Sequence, residues 1–186
     1  MIYNKHLNLA GMHAFLSPSS YHWLNYDDDK LDRVFYTNVQ AQRGTELHTL
    51  AHDLIRLGVK LPEDQKTLSR YVNDAIGYRM TPELTLYYSD NCYGHADALG
   101  YRNDKLRIHD LKTGVTPTTE HQLEIYAALF CLEYKFRPFD MEIELRIYQS
   151  DEVRVYEADL DVIFHIMEKI KYFDKRLNAL RAEVLE

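Results

Sequence analysis

Cysteine is scarce in this chain: of 186 residues only Cys92 and Cys131 carry a thiol. Two cysteines cannot build a disulfide framework. Long apolar runs are also missing. No stretch approaches the roughly 18 residues needed for a membrane-spanning helix, so no membrane partner is expected. Met1-Ile2-Tyr3-Asn4-Lys5-His6 is followed by no apolar core of signal-peptide form. No internal repeat, low-complexity tract or long linker interrupts the sequence. Together these absences predict a soluble protein of a reducing cytoplasm. Positive charge is in deficit too, with 22 Lys and Arg against 29 Asp and Glu and a formal charge of −7. That argues against coating nucleic acid through a broad basic surface, and leaves room for a local basic patch on an acidic remainder.

Tyrosine, by contrast, is abundant at 15 residues. Its ring suits half-wet surfaces, because it stacks while its hydroxyl stays hydrated. The length fits one domain, 1–186, large enough to bury a core. Within it the pattern predicts a mainly helical part over 1–80, a sheet with an added helix over 81–157, and a closing helix over 158–186. Ser17-Pro18-Ser19-Ser20 reads as the cap of a short helix through Tyr21–Leu24. Asp27-Asp28-Asp29 reads as a solvated turn or helix start. Helical periodicity runs from about 38 to 57 through Leu47, Leu50, Ala51, Leu54 and Ile55, and Gly58 stops it. Pro62-Glu63-Asp64 opens a second helix to about Tyr78, and Thr81-Pro82 ends that pattern. Strands are predicted at 83–91, 94–101 and 105–111, a helix capped by Thr118 or Thr119 at 119–135, and strands at 141–149 and 152–157 that turn over Ser150-Asp151. An amphipathic helix with Leu160, Ile163, Ile166, Met167, Ile170 and Phe173 on its apolar side closes the chain to about Val184; it reads as core, and could also support a homo-oligomer. The order implies an α/β domain with a central mixed sheet flanked by helices.

Asp97, Asp110 and Lys112 concentrate the chemistry. Gly94–Leu99 and Leu106–Gly114 read as two strands joined by the polar turn Tyr101-Arg102-Asn103-Asp104. Asp110 and Lys112 are two residues apart, so they share one face of their strand, and Asp97 can reach that face from its neighbour. Two carboxylates with one ammonium suit metal-assisted phosphodiester cleavage: the carboxylates hold a divalent cation, and the lysine serves the attacking water or the developing charge. D-x-K alone is common on solvated hairpins, so the weight rests on what surrounds it.

Gln122 and Tyr126, four residues apart on the next helix, share a face beside the end of that strand. His48 is placed to offer an imidazole to a metal. Glu46, two residues away, points nearly opposite and is not assigned. His48 and His52 also form an H-x-x-x-H pair with zinc-binding spacing, but without a glutamate base or an obvious third ligand. His95 and His109 alternate away from the acids and are expected on the other side of the sheet.

In order, Gly44-x-x-x-His48, Gly94-x-x-Asp97, Asp110-x-Lys112 with Gly114 behind it, and Gln122-x-x-x-Tyr126 resemble the motifs of the PD-(D/E)XK nuclease superfamily, in particular its RecB-like branch with phage-type exonucleases. Leu16–Tyr21 resembles the serine-rich opening segment of that branch. The likeness spans about residues 16–126. It implies a restriction-endonuclease-like core, with His48, Asp97, Asp110 and the Leu111 carbonyl as metal ligands. It further implies Asp97, Asp110, Lys112, Gln122 and Tyr126 as catalytic residues, with Gln122 and Tyr126 orienting the lysine or the DNA strand. An oxygen-rich site favours Mg²⁺ or Mn²⁺, and the imidazole tilts it towards Mn²⁺. Some relatives hold an iron–sulfur cluster on four cysteines; two cysteines imply none here. No helicase motor is present, so coupling to unwinding would need a partner polypeptide. The activity implied is a metal-dependent deoxyribonuclease, an exonuclease in recombination, repair or phage DNA processing. The alternatives are an inactive nuclease-fold module for nucleic-acid binding or interaction, and a zinc hydrolase built on His48 and His52.

Overall fold

The computed structural model describes residues 14–16, 18–116 and 118–185. The N-terminal stretch read above for a signal peptide and the cap expected at Ser17 lie outside them. The chain forms two compact units, Met1–Arg43 and Gly44–Glu186. In the smaller, a 3-10 helix, Pro18–Asn25, precedes the start of a long helix. The larger contains the sheet and every residue named above as a site candidate from Gly44 onward.

Helix α1 spans Asp28–Leu57 and starts ten residues before the expected position. Asp27 explains the start: its Oδ1 accepts the backbone N–H of Lys30 at 2.8 Å, and Asp28 and Asp29 lie in the first turn, where the helix dipole favours negative charge. Gly58, at φ +68, ends the helix in the left-handed conformation that glycine adopts without penalty.

The second helix corrects the sequence reading. α2 spans Thr67–Gly77 and does not begin at Pro62. Its first turn is capped from far away: Asp151 Oδ1 accepts the Thr67 N–H at 2.8 Å, while Lys66 Nζ pairs with Asp151 Oδ2 at 3.0 Å. The preceding loop is held by Asn73, whose amide bonds both the N–H and the carbonyl of Leu61 at 2.9 Å.

The sheet has five strands in the order β1-β2-β3-β4-β5. They are β1 Thr81–Ser89, β2 Cys92–Arg102, β3 Lys105–Lys112, β4 Glu142–Gln149 and β5 Glu152–Glu157. All neighbours run antiparallel except β3 and β4, which are parallel and joined through α3, His121–Tyr134. The sheet is therefore mixed. Pro82 lies inside β1 rather than before it; an edge strand tolerates the missing donor. α3 begins on Glu120 with no side-chain cap, so neither Thr118 nor Thr119 caps it. Thr118 accepts instead, through its carbonyl, from Arg154 at 2.9 Å. Helix α4 spans Leu160–Leu185.

Two cores form on the two faces of the sheet. One gathers Leu86, Leu106, Ile108, Leu145 and Ile147 with Leu123 and Ala127 of α3 and Ile163 of α4. The other gathers Ala98, Leu111 and Tyr148 with Tyr71 and Val72 of α2 and Ala51 and Ile55 of α1. Each fully buried Leu or Ile contributes about 1.5–3 kcal/mol. α3 is apolar around most of its circumference because it lies between the sheet and α4. Cys92 and Cys131 are both free thiols. Among the described residues, no helix is long and apolar enough to cross a membrane.

Candidate metal centre

The registered pairing of β2 with β3 ends at Ala98 opposite His109. Beyond that point β2 stays with β1, down to Cys92, and β3 stays with β4, out to Lys112. The acids sit where the two middle strands part. Alternation also slips there: Ala96 packs in the α3 core, whereas Ala98, two residues on, packs in the α2 core. Asp97 lies between them, and its Oδ2 accepts the backbone N–H of Leu111 at 2.8 Å. One carboxylate thus bridges the gap between diverging strands.

His48, on the part of α1 that packs over the α2 core, places Nδ1 3.6 Å from Asp97 Oδ2. Glu83 of β1 completes a group. One ligand atom from each of His48, Glu83 and Asp97 lies within 4.8 Å of the others. Glu83 holds φ at +49, a left-handed conformation that costs a non-glycine residue about 1–3 kcal/mol.

Asp110 lies behind this group and is 2% exposed. Lys112 Nζ is 3.0 Å from Asp110 Oδ2, but off the line of a hydrogen bond, so that buried oxygen keeps an unfilled acceptor position. The same ammonium donates to Gln122 Oε1 at 2.8 Å. Gln122 Nε2 in turn donates to the Tyr126 hydroxyl at 3.2 Å. Lysine, glutamine and tyrosine therefore form one relay from β3 to α3.

Two glycines make these approaches possible. A β-carbon on Gly94 would meet Tyr126 Cε1 at 3.0 Å, and one on Gly44 would meet Thr113 Oγ1 at 2.7 Å. Gly44 accordingly occupies a helix interior, where glycine costs about 1 kcal/mol relative to alanine. A cavity of about 230 Å³ opens beside the lysine, with Leu47, Thr67, Leu68, Leu111 and Lys112 in its wall.

Burial pushes the Asp97 carboxyl up to about 6, and the charge of Asp110 adds to the shift; the Leu111 N–H and His48 oppose it. Burial raises Asp110 as well, against the pull of Lys112. Tyr71, buried in the α2 core, is held well above the ordinary phenol range, first by burial and then by the charges of Asp97, Glu83 and Asp110. Close like charges and buried carboxylates are unfavourable unless a cation or proton compensates them. The donor set of imidazole and carboxylates, with an unfilled carboxylate oxygen beside it, fits a divalent cation.

All the candidates named from the motifs lie around this one opening in the sheet. Leu111 is there through its backbone: its N–H is taken by Asp97, and its side chain lies in the α2 core. His52 is not part of the group; its Nδ1 lies 3.2 Å from Asp53 Oδ1. His109 faces the α2 side, away from Asp110, with Nδ1 3.2 Å from the Tyr148 hydroxyl. His95 is exposed on β2 and bonds Thr85 at 2.9 Å. Two residues were missed by motif reasoning, Glu83 and Tyr71. A signal for Glu83 was present: the β1–β2 register, with Leu84 opposite Ala96 and Pro82 opposite Ala98, puts it across from Asp97.

No protein-family model matches this chain, and it matches no curated protein.

Proposed function

We propose that this chain is a divalent-metal-dependent deoxyribonuclease of the PD-(D/E)XK superfamily, RecB-like branch, with a restriction-endonuclease-like core. The observation that carries the reading is one arrangement: His48, Glu83 and Asp97 form a ligand-sized group at the opening between β2 and β3, and the Lys112–Gln122–Tyr126 relay ends beside it. Motifs scattered over about 80 residues meet there.

His48, Glu83, Asp97 and Asp110, with the Leu111 carbonyl, would hold Mg²⁺ or Mn²⁺. Bound there, the cation supplies positive charge to the scissile phosphate and lowers the pKa of water. The protein's own groups do the rest. Asp97 fixes the spacing of β2 and β3 through the Leu111 N–H. Lys112 is held by Gln122 so that its ammonium faces the reacting phosphate, where it positions the attacking water or meets the charge that develops on oxygen. Tyr126 sets the Gln122 amide and offers its ring edge to the DNA strand.

An exonuclease acting in recombination, repair or phage DNA processing, with a helicase or recombination partner, is the form of the activity that the motif resemblance favours. The test is substitution at two positions. Asp110→Asn and Lys112→Ala should each keep the circular-dichroism spectrum and thermal midpoint of a folded protein while losing cleavage of DNA. Near-normal cleavage by either folded variant would remove the proposal.

A further inference from the structure

On a chain with a formal charge of −7, one depression concentrates positive charge. It has a volume of about 370 Å³ and is lined by Arg79, Arg102, Lys105, Arg107 and Glu142, with Lys105 paired to Glu142 at 3.4 Å and to Glu144 at 3.1 Å. It lies at the far end of α2 from the metal centre: Thr67 and Leu68 at the start of α2 line the cavity beside Lys112, while Gly77 at its end lines the basic depression. Five residues of β2 separate Asp97 of the metal group from Arg102 of the depression, a span of about 16 Å.

We infer that this depression is a second phosphate-binding site, which anchors the backbone of a nucleic acid at a distance from the metal centre; as an anchor for substrate it rests on the proposed nuclease reading.

Three observations support it. The Arg107 guanidinium is preset, stacked 4.6 Å from the Tyr78 ring centroid, with Arg146 at 4.9 Å from the same ring. Arg107 Nε is buried with no hydrogen bond, since Glu144 Oε1 at 3.4 Å is misaligned, and the two oxygens of the Glu144 carboxylate are engaged by Lys105 and Arg146. Secondly, Arg79 and Arg102 are exposed and make no ion pair or side-chain hydrogen bond among the described residues. Thirdly, Arg79 occupies a left-handed backbone position, φ +54, immediately after a helix, where glycine is the unstrained choice. Two unpaired guanidiniums, Arg79 and Arg102, beside the stacked guanidinium of Arg107 match the requirements of a phosphodiester: several N–H donors and a locally positive field.

The test uses the full chain with both exposed arginines replaced, Arg79→Ala/Arg102→Ala, next to wild type and Lys112→Ala. Binding of a fluorescent 20-base-pair DNA is followed by anisotropy in EDTA across a salt series. The double variant should keep the wild-type thermal midpoint, bind roughly tenfold more weakly near physiological salt, and show a log–log salt slope shallower by about 1–2. Unchanged affinity and slope in the double variant would overturn the inference, and so would failure of the wild type to bind DNA. Cleavage by the same proteins separates the two claims. Wild-type cleavage with an unaltered KM in the double variant would sink the anchor and leave the nuclease. Arginine-dependent binding without cleavage under any metal would keep the anchor and sink the nuclease.

Discussion

Asp97 on β2 accepts the backbone N–H of Leu111 on β3 at 2.8 Å, just beyond the last registered pair of the two strands. A side chain takes over from the backbone ladder, so the carboxylate is fixed where the sheet opens and remains mostly buried. Its position has a cost that a cation or a proton relieves.

That cost sets a pH dependence. Asp97 is raised from an ordinary 3.8 to about 6 in the folded protein. Between those values the folded state binds the proton more tightly than the unfolded state, so metal-free stability falls as pH rises from about 4 to about 6 and stays low above. The span corresponds to roughly 2–3 kcal/mol. Urea denaturation in EDTA should therefore give higher stability at pH 5 than at pH 7.5 for the wild type. Asp97→Asn should flatten this component and raise stability at pH 7.5. A wild-type profile flat over that range would contradict the buried, charge-opposed carboxylate.

Divalent metal should bind in competition with that proton. Calorimetric titration of Mn²⁺ should show affinity falling as pH drops through about 6, and weakening by tenfold or more in Asp97→Asn. Lys112→Ala should retain Mn²⁺ binding, because the lysine is not among the ligands. Equal affinity in wild type and Asp97→Asn would place the metal elsewhere.

Glu83 joins strain to function. Its φ of +49 suits glycine, so Glu83→Gly should raise or preserve the thermal midpoint, with a gain of up to about 1 kcal/mol, while weakening Mn²⁺ binding. A stability loss of several kcal/mol would mean that the side chain is a structural prop instead.

The relay from Lys112 through Gln122 predicts a graded series. Lys112→Ala should lower kcat by roughly 100- to 1000-fold, or about 3–4 kcal/mol. Gln122→Ala, which removes the amide that orients the ammonium, should cost less and leave metal affinity unchanged. Single-turnover kinetics at saturating metal would measure both. Equal losses in the two variants would require Gln122 to contact the reacting phosphate directly.

Local patterning made most of the sheet legible. Apolar alternation and the Asn103-Asp104 and Ser150-Asp151 turns mark the hairpins, and both turns use left-handed residues, as their composition implies. What escaped depended on distant partners. The start of α2 is fixed by Asp151, 84 residues away, so Pro62-Glu63-Asp64 misleads as a helix opening. α1 starts early because Asp27 caps Lys30 within a run of three aspartates that composition alone leaves ambiguous. In the candidate site, Asp97, Asp110 and Lys112 stood out because charge on a half-buried strand is unusual. Glu83 did not, since an acid in an edge strand looks solvated until its register against Asp97 is known. Tyr71 was hidden for the opposite reason: a tyrosine on the apolar face of a helix reads as core, and only its proximity to three carboxylates gives it a second meaning.

The central claim is metal-dependent phosphodiester cleavage at this opening in the sheet. Its most direct test is incubation of end-labelled linear duplex, single-stranded and closed circular DNA with the wild type and Lys112→Ala, in Mn²⁺, Mg²⁺ or EDTA. The account predicts degradation of linear DNA by the wild type with Mn²⁺ or Mg²⁺, circles spared, no degradation in EDTA, and degradation by Lys112→Ala slowed by roughly 100-fold or more. Absence of cleavage by the wild type under every metal, cleavage that persists in EDTA, or cleavage by Lys112→Ala at near the wild-type rate would contradict it.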